Sequence, residues 1–80
     1  MNKRDEEQLS YLKGQLDWSR RQAWLLEQLE MKLRAMRQIA FYALEGDTTA
    51  TEVEQLQREI EECQQEVREL QKQISPDYVH

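Results

Sequence analysis

Little in this chain can make a turn. Two glycines (Gly14 and Gly46) and one proline (Pro76) stand among 80 residues. That is too little punctuation for the many short strands of a sheet protein. A single cysteine, Cys63, excludes an internal disulfide framework and cannot build a thiolate metal site alone. The one histidine is His80, so neither an HExxH pair nor the Glu-x-x-His pairs of a carboxylate-bundle metal site can form. No glycine-rich phosphate loop is present. Paired carboxylates such as Glu6-Glu7 and Glu61-Glu62 fall on exposed helix, where solvation keeps them unsuited to acid–base work. No catalytic, cofactor-binding or metal-binding residue is therefore expected, and the chain reads as non-enzymatic, without a cofactor or small-molecule substrate.

Long apolar runs are missing too. The longest, Ile39 to Leu44, has six residues, against the roughly 20 that cross a bilayer. Met1-Asn2-Lys3-Arg4-Asp5-Glu6-Glu7 places no apolar stretch behind its basic residues, so no signal peptide is expected and the chain reads as cytoplasmic. Acidic residues outnumber basic ones by 16 to 11, a net charge of −5, which works against bulk attraction to nucleic acid or anionic lipid. Leu, Ile, Val and Phe total 17, a small stock for a core, so one chain is expected to complete its core with another.

What remains is helix-forming material. Ala, Glu, Lys, Leu and Arg make 38 of the 80 residues, the mix of long helices and coiled coils. The internal punctuation is Glu45-Gly46-Asp47-Thr48-Thr49. Gly46 suits the left-handed position beyond a helix C-terminus, and Thr49 with Glu52 matches a capping box, Thr51 with Glu54 being a second frame for it. Asn2 with Asp5 can cap the first helix, and Ser75-Pro76 stops the second. The expected fold is all-α: a long helix over about 3–45, a turn at 46–49, a helix over about 50–75, and a frayed tail at 76–80. These form one antiparallel helical-hairpin domain over 1–80.

The second helix carries a heptad seam of Val53, Leu56, Ile60, Cys63, Val67, Leu70 and Ile74, β-branched at one position and mostly Leu at the other. Cys63 reads as a small apolar seam residue rather than a redox thiol. The first helix carries a broad stripe of Leu12, Leu16, Ala23, Leu26, Leu29, Leu33, Met36, Ala40 and Leu44, whose slow drift implies left-handed, coiled-coil-like packing. A thinner stripe of Trp24, Met31, Ala35 and Tyr42 lies roughly opposite. A helix apolar on two sides is expected to sit between neighbours, here its own second helix and a copy of the chain, giving a homodimeric four-helix bundle.

The first helix also outreaches the second. Its first part carries Leu9, Tyr11, Leu12, Leu16 and Trp18, so it either folds back near Gly14 or is covered by a second chain; the second chain is the expectation. Basic residues gather at Arg20, Arg21, Lys32, Arg34 and Arg37, and the stretch 51–73 holds seven Glu. Complementarity between these two regions is the favoured reading. The alternative is a nucleic-acid stripe on Arg20, Arg21, Arg34 and Arg37. Trp18, Trp24, Met31 and Tyr42 are candidates for dimer or partner contact. The function expected is a small homodimeric helical adaptor or regulator that binds another protein. A self-assembling scaffold is a further alternative.

Overall fold

The computed structural model describes residues 2–77. Two helices, α1 (Lys3–Leu44) and α2 (Ala50–Gln73), pack against each other as a helical hairpin. Its ends follow from local chemistry. The Asn2 side chain accepts from the Asp5 amide at 2.9 Å, and Asp5 and Glu6 occupy the positive first turn of α1. At the other end the Glu45 amide donates to the Tyr42 carbonyl, and Gly46 turns the chain at φ 86°, a conformation that L side chains rarely adopt. The Thr49 hydroxyl then accepts from the Glu52 amide at 3.2 Å and starts α2. Only this half of the expected capping box forms.

The α1 helix runs unbroken through Gly14, so the chain does not fold back there. An interior glycine costs about 1 kcal/mol against alanine, far less than breaking a long helix into two shorter ones. The molecule is correspondingly thin, 69 × 20 × 17 Å with a radius of gyration of 19.9 Å; a compact chain of this length would have about 12 Å.

The hairpin is antiparallel. Gln22 meets Gln73 and Ser75, Lys32 meets Glu66, and Tyr42 lies beside Glu52 and Leu56. On α2 the expected seam faces α1: Leu56, Ile60, Cys63, Val67 and Leu70 are half-buried and Ile74 is buried, while Val53 next to the turn stays exposed.

On α1 the packed line differs from the expected stripe. The covered residues are Gln22, Leu25, Leu29, Lys32, Met36, Ile39 and Ala43, with Leu26, Gln28 and Ala35 beside them. Of the expected stripe, Leu26, Leu29 and Met36 are half-buried, whereas Leu12, Leu16, Ala23, Leu33, Ala40 and Leu44 are exposed. The packed line advances by alternating steps of three and four residues, whereas the expected stripe takes Leu29 and Met36 from it and otherwise follows an adjacent line through Leu12, Leu16, Ala23, Leu26, Leu33, Ala40 and Leu44. Counting apolar residues favours the leucine-rich line, but α2 lies on the neighbouring one, because its polar members Gln22 and Lys32 find partners on α2.

Gln22 also moves the end of α2. It is 4% exposed; its amide nitrogen donates to the Gln73 carbonyl at 3.3 Å, and its carbonyl oxygen accepts from the Ser75 amide at 2.6 Å. These bonds hold the chain where Ile74 has turned extended, with ψ 124°. The α2 helix therefore ends at Gln73 rather than near residue 75, earlier than the restriction imposed by Pro76 requires. Pro76 and Asp77 form a turn; the rest of the expected tail, Tyr78, Val79 and His80, lies outside the described residues.

Candidate interaction surfaces

Burial is concentrated at the open end of the hairpin, where Leu25 is 1% exposed and Ile74 is 9% exposed. The Arg21 guanidinium donates to the Gln73 side chain at 2.9 Å, which closes the edge of this small core. Gln22 is the residue that sequence reasoning missed. Its signal was a glutamine in line with Leu25, Leu29, Met36 and Ile39.

Two banks flank the line that α2 covers. One follows the leucine stripe, with Leu12 (58%), Leu16 (49%), Leu33 (47%) and Leu44 (79%) exposed, and extends it toward the N-terminus to Leu9 (53%). On this side α2 presents Gln57, Gln64 and Gln71, next to its seam at Val53, Ile60 and Val67. The α2 side chains nearest this bank are thus uncharged glutamines; charge enters it on α1 itself, at Glu30, which pairs with Arg34, and at Arg37. Near the open end, Leu26, Leu29, Gln71, Ile74 and Pro76 line a shallow recess of about 350 Å³.

The other bank is aromatic on α1 and acidic on α2. Trp24, Gln28 and Lys32 face Glu66, Glu69 and Leu70 across a recess of about 300 Å³. Farther along, Tyr42 lies beside Glu52, Gln55 and Leu56. Met31 belongs to the same side of α1. Trp24, Met31 and Tyr42 are each half exposed or slightly more, and Trp18, in the overhang, is 42% exposed.

Complementarity between a basic α1 and an acidic α2 comes down to one contact. Among the described residues, Lys32–Glu66 is the single ion pair between the helices. Its hydrogen bond and its charge both raise the Lys32 pKa above the ordinary 10.5. Arg34 instead pairs within α1 with Glu30 at 3.2 Å, and Arg21 is spent on Gln73. Arg20 and Arg34 lie on the side of α1 turned away from α2, so the helical period rather than net charge decides who meets whom. Of the nucleic-acid alternative's four arginines, two are thus engaged within the chain.

Cys63 is half-buried on the face of α2 that meets α1. Among the described residues no group of three His, Cys, Asp or Glu is placed to hold a metal ion, and no helix is long and apolar enough to cross a membrane. Comparisons of the chain with protein-family models, with curated proteins and with solved structures return no match.

Proposed function

We propose that this chain is a non-enzymatic protein–protein interaction module, a helical hairpin that pairs with a second copy through coiled-coil-like packing and serves as a small cytoplasmic adaptor or regulator. The observation that carries this reading is the leucine bank of α1. It runs from Leu9 to Leu44, is mostly exposed in the single chain, and includes an overhang that α2 is too short to reach. Contiguous apolar surface of this kind marks interaction sites. The non-enzymatic part rests on the sequence, which holds one Cys and one His and no motif for nucleophilic or metal chemistry.

With the leucine bank given to self-association, the bank of Trp24, Met31 and Tyr42 beside Glu52, Glu66 and Glu69 is left for another protein. Aromatic anchors framed by charge are typical of such surfaces. Sedimentation equilibrium at micromolar concentration tests the first half: twice the 9.7 kDa chain mass is expected, and a well-folded monomer refutes it. Trp24→Ala tests the second. Unchanged mass and melting place Trp24 on the partner surface, and a shift toward monomer places it in the dimer.

A further inference from the structure

We infer that two copies pair antiparallel along α1, each overhang lying against the hairpin of the other copy. This rests on the self-association proposed above and adds its geometry.

Length is the first argument. The hairpin covers α1 from Gln22 to Leu44, about 35 Å, and leaves residues 3–21, about 28 Å, beyond the end of α2. These lengths nearly match. An antiparallel pairing centred near Leu26 lays residues 8–21 of one α1 on residues 31–44 of the other, so nearly all of the uncovered half gains a neighbour. The assembly holds four helices in all, with three in cross-section at either end. A parallel pairing in register would set overhang against overhang, two helices with no third to close them.

The second argument is the order of side chains along the exposed bank. It steps from Leu9 to Leu44 by alternating threes and fours, and its polar members are Ser19, Glu30 and Arg37. In a parallel pair each residue meets its own copy, which places Arg37 on Arg37, and Glu30, which pairs with Arg34 of its own helix, on Glu30, in a seam losing its water. Like charges so placed are destabilising. Reversing one helix separates both pairs. Glu30 then falls beside the Ser19–Ala23 stretch of the second copy, within about a turn of Arg20, and Arg37 falls beside Leu12 and Leu16.

Area is the third. The single chain exposes 6834 Å², about 1,700 Å² more than a compact monomer of its mass. A stable interface needs about 800 Å² from each partner, so the surplus is ample.

The test uses the full chain with Cys63→Ala and a nitroxide at Ser10→Cys, which lies off the leucine bank, or at Glu27→Cys, near the midpoint. Sedimentation of the labelled protein accompanies pulsed electron–electron resonance. The antiparallel dimer is expected to give about 45–50 Å between the labels at 10 and less than about 25 Å between those at 27. A dimer with a short distance at 10 is parallel and overturns this inference while leaving self-association standing. Long distances at both sites place the interface elsewhere and also overturn it. A monomer overturns both proposals. Leu16→Glu gives an independent reading, since Leu16 lies on the overhang, beyond the reach of α2. It is expected to shift the dimer to monomer with helicity retained, and wild-type mass for this variant overturns the inference.

Discussion

The two halves of α1 belong to one unbroken helix and both carry large apolar side chains, yet they live in different surroundings. Residues 22–44 lie along α2 and include Leu25, which is 1% exposed; ahead of them the helix runs past the end of α2, and there Leu9, Leu12 and Leu16 are all about half exposed. Helical form therefore does not report burial here. Extending an existing helix adds one hydrogen bond for each residue ordered, whereas the costly step is nucleation. The Asn2 cap and the straight-chain residues behind it suffice to carry the helix outward, and burial waits for a partner.

The sharpest way to break this contrast is the same substitution in each half. Leu25→Ala is expected to lower the unfolding free energy by about 2–5 kcal/mol, because a buried leucine leaves a cavity. Urea titration followed by circular dichroism would register the loss at every protein concentration. Leu16→Ala acts only through the second copy, so its penalty should fade on dilution below the dissociation range. An equal, concentration-independent loss for both would mean that the overhang is packed within its own chain.

Gln22 sits at the border between the halves. Gln22→Ala removes both bonds to the end of α2 and strands the Ser75 amide, an expected cost of about 1–3 kcal/mol. Hydrogen exchange should quicken first around residues 70–75. Unchanged protection there would show that Pro76 alone ends α2.

The two glycines give opposite signs. A Cβ at either meets nothing within 4 Å, so backbone conformation decides. Gly46→Ala forces a side chain to φ 86° and should cost about 1–2 kcal/mol. Gly14→Ala should stabilise the overhang by about 1 kcal/mol. Thermal melts of the pair would test this, and a destabilising Gly14→Ala would reveal a bend in α1 there.

The smallest effect belongs to Lys32. Its pKa is raised above 10.5 by Glu66, so its contribution is fully present below the unfolded value and is lost as pH rises through the folded one. The melting difference between wild type and Lys32→Gln should be present at neutral pH, shrink in strong alkali and shrink with added salt. A difference independent of pH would assign Lys32 to packing through its aliphatic stem.

Much of this was legible in the residues. Asn2, Gly46 and Thr49 mark the helix ends because caps and left-handed turns depend on a few neighbouring groups. The line from Leu56 to Ile74 on α2 was legible because that helix has a single apolar side. On α1 the residues themselves favour the leucine line, since Leu12 through Leu44 are more apolar than a line containing Gln22 and Lys32.

The sequence by itself determined two helices, one turn at Gly46 and an α1 far longer than its partner, all through interactions within a few residues. Which line of α1 meets α2, and where α2 stops, was decided by tertiary structure. Gln22 and Lys32 are unfavourable seam residues until Ser75, Gln73 and Glu66 arrive from 34 to 53 positions away. The free energy of a polar side chain in a seam is set by its partner, and that partner is not among its neighbours in the chain.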